Sequence, residues 1–416
     1  MNEMKTVFRP DQPAGRSRAK GIFSEPQSFL RLFFSCWFLA LPAFLLPAGL
    51  LHSGTVFNVG NVSASGDKEA MSSSTSSRVY LSSNKKGIYL CLLDATGLSE
   101  PKLAAGENGS FFLALHPSLP VLYSLDAAKQ LVSAYQIGSD GALTPLGSVP
   151  SRGAVPCHLA IDRAGRFLVV ANYNGGVASF GLEGDGRLHE AASVFEPTGS
   201  GADPKRQQGP HPHGVALSEK GDLAYIADLG TDRVLALKVE PGSWALSLDE
   251  TRSVALAPGA GPRHITLHPG GTFAAVVNEL DNTVSAFRRD PASGTLTATN
   301  TLSTLPPSFQ GETWTAEIDF HPSAPVCYAS NRGHSSLALF PFDPATGQLS
   351  APSWLECEGK AQHFAITPNG DAVLIANNDA GTISLHRLDP ATGSAGGKVA
   401  SLPLEAPMCI VVVPRP

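Results

Sequence analysis

The sequence predicts an all-β protein built as a closed β-propeller, a ring of four-stranded antiparallel blades. Three observations carry that expectation. First, one pattern recurs six times: SFFLALHPSLPVLYSLD (110–126), PCHLAIDRAGRFLVVANYNGG (156–176), PHGVALSEKGDLAYIADLGTDR (212–233), PRHITLHPGGTFAAVVNELDN (262–282), AEIDFHPSAPVCYASNRGHS (316–335) and QHFAITPNGDAVLIANNDAGT (362–382). Each copy is a polar or ring-bearing opener, a short alternating apolar strand, a tight turn on Pro, Gly, Asp or Ser, and a second apolar strand ending in Asn or Asp. Second, the openers fall about 45 to 55 residues apart, the period of propeller blades. Third, the last run, APMCIVVVPRP (406–416), is a lone strand, and the first runs, RVYLSS (78–83) and GIYLCLL (87–93), form only part of a unit. Pairing the N- and C-terminal strands completes a further blade, makes seven, and removes the exposed sheet edges.

Taken in order, residues 1–75 read as an N-terminal segment and 76–416 as one propeller domain. Residues 32–51 are apolar and uncharged, and Arg16, Arg18, Lys20 and Arg31 precede them. They read as a signal peptide or membrane anchor, and any membrane contact is expected through them alone. The competing reading starts translation at Met71, just before the first strand, and gives a cytoplasmic protein. Residues 52–78, rich in Ser, Gly and Asn, read as a linker. Outer strands such as VASFGL (177–182), TVSAFRR (283–289) and LALFPF (337–342) separate the units. Each is followed by a hairpin signal such as EGDGRL, DPASGTL or DPATGQL, which puts Gly where a turn needs positive φ. Two long insertions, 196–214 and 303–317, each precede an opener. They are expected to rise over the rim that carries the polar residues.

Composition narrows the function. The 41 Gly and 33 Pro, about a sixth of the chain, fit a turn-rich protein. Charged residues are only 16 %, the net charge is −6 and no Lys/Arg run is present, which argues against a nucleic-acid partner. Six cysteines without CxxC spacing argue against a disulfide framework and a structural zinc site. No nucleophile elbow, phosphate loop, dinucleotide fingerprint or H-E-x-x-H is present. Hydrolysis, if any, is expected to use water activated by Glu or His, with no metal and no cofactor.

The two strands of a unit are antiparallel, so the opener of the first and the closer of the second, about 15 residues on, should meet at one end of the blade. The openers are His158, His213, Arg263, Glu317 and His363. The closers are Tyr173, Asp228, Glu279, Arg332 and Asn378. Rotation about the ring axis brings them all to one rim. Arg263, His264 and Glu279 form the densest group. An Arg beside a Glu keeps the carboxylate ionised, and its fork can bind a carboxylate or phosphate or stabilise an oxyanion. The same pair could equally lock one blade to the next. Glu317 and Arg332, with His334 beyond, are expected to repeat that pair in reverse order. His211-Pro-His213 offers two imidazoles, too few for a zinc site. His213 is placed at the rim as a candidate acid or base, and His211 in the shaping of its loop. Lys205 and Arg206, in the same loop, read either as anion-reaching groups or as solvated charge.

The stretches RQQGPHPHGVALSEKGDLAYIADLGTDRV, GPRHITLHPGGTFAAVVNELDNTVSAF and GETWTAEIDFHPSAPVCYASNRGHSSLALFPFDPATGQL, with ANYNGG (171–176) and APMC (406–409), resemble the lactonase family of seven-bladed β-propellers. The resemblance runs from about Val79 to Val413. It implies hydrolysis of a small-molecule sugar lactone, 6-phospho-D-glucono-1,5-lactone first, without an obligatory metal; the alternatives are a carboxymuconate-type lactonising cyclase and an exported, non-enzymatic ligand-binding propeller. It implies catalytic roles for His213, Arg263, Glu279 and Arg332, with either Glu279 or His213 as the base. His158, His211, His264, Glu317, His334 and His363 are the expected substrate-binding group around them. One departure stands out: the sixth unit opens Ala361-Gln362-His363 where members of the family often carry Pro-Arg.

Overall fold

The computed structural model describes residues 76–106 and 109–413; the N-terminal segment expected over residues 1–75, with its apolar stretch, lies outside them. The described residues contain no helix and form seven antiparallel sheets. In six blades the chain enters on the innermost strand and works outward, as in Pro262–Leu267, Phe273–Asn278, Thr283–Arg289 and Leu296–Ser303. In three blades the outermost strand is broken into two short pieces, for example Leu246–Leu248 and Val254–Ala255. The seventh blade closes the ring as expected: Ser77–Ser83 pairs antiparallel with Pro407–Val413, with Arg78 opposite Val413 and Leu81 opposite Ile410. The innermost strands touch their neighbours in cyclic order, back to the first.

Burial explains why the second strand of each unit is a near-continuous apolar run. Phe273–Asn278 and Ala372–Asn377 are buried at every position, because both of their faces pack against adjacent blades. The outermost strands, such as Leu188–Phe195, have one solvent face and alternate. Blades are also latched by tyrosines. Tyr80, Tyr123 and Tyr225, each fully buried, donate their hydroxyls to Gly141 O, Gly186 O and Gly294 O at 2.8, 2.7 and 2.6 Å. Tyr328 does the same to Gly393 O. In each case the acceptor is the glycine of the next blade's outer hairpin, so the turn chemistry read from the sequence also holds the ring together.

A β-bulge recurs near the start of the innermost strand. Pro262 pairs with Asn278 but His264 with Val277, which leaves Arg263 as the extra residue. The same count makes extra residues of Cys157, His213, Gln362 and Met408. A bulge turns its side chain out of the strand's alternation. Here it turns one residue in each of these five blades out of that alternation at the same place in the strand.

Candidate active site

The bulges sort the opener region into two layers. The upper layer holds Phe111, Cys157, His213, Arg263, Ala316, Gln362 and Met408. The lower layer holds Phe112, His158, Gly214, His264, Glu317, His363 and Cys409. The assignment follows from register: Ile265 pairs with Val276 and Ile318 with Ala329, so Glu317 is equivalent to His264, not to Arg263. Reading His158, His213, Arg263, Glu317 and His363 as equivalent openers is therefore corrected. His158, Glu317 and His363 lie one residue deeper than His213 and Arg263. The inserted bulge residue shifts any count made along the strand by one. Among the closers, Tyr173, Glu279, Arg332 and Asn378 are equivalent, while Asp228 corresponds to Asn278. Asp228 is a cap: it accepts from His211 N (2.6 Å), Gly230 N (3.1 Å) and Thr231 Oγ1 (2.8 Å).

The lower layer closes the central channel. The ring centroids of Phe112 and His158 lie 4.3 Å apart, and those of His158 and His264 4.6 Å apart. His264 Nδ1 meets Glu317 Oε1 at 3.0 Å, and His363 Nε2 lies 3.3 Å from Glu317 Oε2 and 3.4 Å from Cys409 Sγ. Glycine occupies this layer at 214 because a Cβ there would lie 2.6 Å from Arg263 O. Burial lowers the imidazoles of His158, His264 and His363 below their usual range. His264 is then neutral, accepts from Arg263 Nη1 at 3.2 Å and donates to Glu317, which fixes its tautomer and that of the chain Arg263–His264–Glu317.

Above this floor, Glu279 gathers three guanidinium groups. Oε1 takes Arg206 Nη2 at 2.6 Å; Oε2 takes Arg332 Nη2 at 2.9 Å and Arg263 Nε at 3.1 Å. The expected Arg263–Glu279 pair is present. The expected Glu317–Arg332 pair is not: Arg332 turns to Glu279, and Glu317 is turned to the two histidines of its own layer, one residue too deep to meet it. Burial pushes the Glu279 carboxyl up, but Arg332, Arg206 and Arg263 together outweigh it and hold it well below the usual carboxylate range. Burial, with Arg332 nearby, brings the Arg263 guanidinium down to about 10, so it stays charged at neutral pH. Three guanidinium groups against two carboxylates, Glu279 and the Glu317 beneath Arg263, leave one positive charge uncompensated.

His213 sits beside this cluster, its ring centroid 5.3 Å from that of His264 and 5.6 Å from that of Tyr173. Burial first, then Arg263 and His264, keep it neutral, and its buried Nδ1 has no hydrogen-bond partner. His211 is directed elsewhere: its ring stacks on Tyr173 at 4.2 Å and its Nδ1 meets Tyr173 O at 2.9 Å. His334 hydrogen-bonds Ser336 Oγ at 2.7 Å and packs against Phe309 of the second insertion. Of the sequence-predicted residues, the structure therefore brings His213, Arg263, Glu279 and Arg332 together. His158, His264, Glu317 and His363 lie beneath them, and His211 and His334 at the edge. Arg206 completes the cluster; its sequence signal was its place in the long insertion, which could not distinguish anion contact from solvated charge. Beside Arg263 a void lined by Phe111, Cys157, Glu317, Gln362 and Met408 among others is about 10 Å³, the size of one water.

Comparison with known proteins agrees with this architecture. The chain is 32 % identical over 338 residues to the 6-phosphogluconolactonase of Bacillus subtilis, covering 80 % of this chain and 95 % of that one. It is 31 % identical over 283 residues to the 6-phosphogluconolactonase of Serratia proteamaculans, covering 68 % and 81 %. Among solved structures, the periplasmic gluconolactonase of Pseudomonas aeruginosa superposes with a TM-score of 0.78 at 25 % identity, over 82 % of this chain and all of that one. The model of the lactonase family matches residues 72–412, almost the whole propeller and every residue of the cluster, and the chain belongs to that family of seven-bladed β-propellers.

Proposed function

We propose that the protein hydrolyses 6-phospho-D-glucono-1,5-lactone to 6-phosphogluconate. The observation that carries this reading is the surplus positive charge around Glu279 at the mouth of a closed channel, which suits an ester bearing an anionic group. Several relatives are named for that activity.

In this reading the lactone carbonyl lies against Arg263. A water gives a proton to Glu279 or His213 as its oxygen bonds to the carbonyl carbon. The oxyanion that forms is held by Arg263 and Arg332. The ring C–O bond then breaks and the departing oxygen takes the proton back, leaving an open-chain hydroxy acid that ionises in solution. The layer beneath would act by position: His264 and Glu317 fix the Arg263 guanidinium, whose Nη1 also donates to Ala316 O at 2.6 Å.

The test is hydrolysis of freshly generated 6-phosphogluconolactone by the purified chain, with spontaneous opening subtracted and Arg263→Ala alongside. Fast hydrolysis lost in the variant supports the reading. No rate above background from a folded protein rejects it, and turnover of carboxymuconate alone would transfer the same arginines to a cyclase.

A further inference from the structure

The three arginines on Glu279 are not held alike. Arg263 is 3 % exposed, and its Nη1 is tied to Ala316 O. Arg332 is 20 % exposed and is pinned by two main-chain carbonyls, Trp314 O at 3.3 Å and Thr315 O at 3.0 Å. Arg206 is 30 % exposed, the most open of the three. Its guanidinium is bound by side chains alone among the described residues: the Glu279 carboxylate and the Tyr173 phenol.

The backbone beneath Arg206 is, by contrast, firmly set. Asp203 Oδ1 accepts from Lys205 N at 2.7 Å and from Arg206 N at 3.0 Å. The buried Gln207 side chain accepts from Asp203 N at 2.7 Å and donates to Leu229 O and Asp232 Oδ1 at 2.8 and 2.6 Å. The next residues lie against Gly230, where any Cβ would collide with Gly209 O. A fixed root thus carries an arm whose partners are both exchangeable.

Glu279 has a matching constraint. Each of its oxygens faces a guanidinium, Oε1 that of Arg206 and Oε2 those of Arg332 and Arg263, so the paired carboxylate is a poor acceptor for a proton from water. Oε2 is shared by the two anchored arginines, and only the Arg206 bond to Oε1 can be given up without stranding a main-chain carbonyl.

We propose that Arg206 is the residue that reads the anionic group of the substrate: on binding, its guanidinium leaves Glu279 Oε1 for the phosphate of the lactone, and the freed oxygen becomes the base. This rests on the lactone-hydrolase reading and deepens it. The bound anion replaces the carboxylate as Arg206's partner, so a charge-assisted pair is exchanged rather than lost. A neutral lactone has nothing to offer Arg206 and meets Glu279 still occupied. The preference for phosphorylated over neutral lactone is then set by one loop residue.

The experiment compares the full-length wild type with Arg206→Gln, Arg206→Lys and the neighbouring Lys205→Gln, on 6-phosphogluconolactone and on glucono-1,5-lactone. It also includes calorimetric titration with inorganic phosphate. For Arg206→Gln, KM for the phosphorylated lactone should rise about tenfold to a hundredfold, the worth of a charge-assisted hydrogen bond. At the same time kcat on the neutral lactone should rise, because Oε1 no longer has to be vacated. Arg206→Lys should recover part of the phosphate preference, and Lys205→Gln should match the wild type on both lactones. A parallel fall on both lactones would show a merely structural loop residue and overturn the proposal, as would unchanged discrimination. If the wild type opens neither lactone, the hydrolase reading fails, and the base role of Glu279 fails with it. Phosphate binding lost in Arg206→Gln would then still assign the anion contact to Arg206, and binding equal in both would remove it.

Discussion

The two layers of the channel mouth are neighbours in sequence and use one repeated backbone, yet they are filled by opposite rules. The upper layer, raised by the bulge, is uneven around the ring. His213 and Arg263 stand on adjacent blades on one side, while Phe111, Gln362 and Met408 fill the other. The lower layer is closed by three histidines and a glutamate beside Phe112, with Gly214 and Cys409 completing it. The bulge supplies a position that backbone pairing does not constrain, and on one blade it carries Arg263 to Glu279. The position beneath is packed from every side, and its histidines are kept neutral by burial. Arg263 and the His264 that holds it toward Glu317 are thus separated by one residue along the strand.

Acid should break the comparison most strongly. His158, His213, His264 and His363 all have folded-state values below the usual imidazole range. A depressed histidine binds its proton in the unfolded chain first, so its contribution is complete above about pH 6.5 and is lost as pH falls below it. Four such groups, facing Arg263, Arg332, Glu279 and Glu317, give a loss of up to about 5 kcal/mol per pH unit below that point. Urea midpoints between pH 7 and 5 measure it, and a flat profile would show that the layer charges without cost.

Glu279→Gln should come next, and it changes more than turnover. The substitution leaves the buried Arg263 beside Arg332 without a counter-charge, at a cost of about 3–5 kcal/mol. Chemical denaturation of Glu279→Gln against Glu279→Gln/Arg263→Met isolates that term, since removing the buried cation should restore most of the stability. Arg263→Ala should lower kcat about 10²–10³-fold, the range for losing one oxyanion donor. Gln362→Ala, the same bulge position on the far side, should leave kcat within about twofold. Equal losses in the two would dissolve the division of the upper layer. The smallest effect is expected from Tyr123→Phe: loss of its hydroxyl should cost about 1 kcal/mol in stability with kcat unchanged, placing the blade latch outside the chemistry.

The blades were legible in the sequence because each carries its own complete statement: two apolar runs, a turn and a polar hairpin, repeated until the ring closes. Arg263 and Glu279 were legible because antiparallel pairing brings the two ends of one unit together. The layer of each opener was not, because an inserted bulge residue leaves no mark in the apolar alternation beyond a shift of one. Arg332 could be placed on the rim but not given its partner, which lies on the neighbouring blade. Arg206 was the least legible, since what a loop side chain reaches depends on where Asp203 and Gln207 fasten the loop, and their anchors come from residues 229 and 232.

The pairing of Ser77–Ser83 with Pro407–Val413 joins segments more than 320 residues apart in the chain. Seven blades cannot become a ring until the final strand has been synthesised, so every earlier state exposes the edge of Ser77–Ser83 and an unsealed channel. Loop closure over that distance, rather than the making of any single blade, is the step that synthesis and release must wait for. Loss of Pro407–Val413 would leave six intact blades and an open circle, with Arg206, Arg263 and Arg332 already in sequence but no axis for them to surround.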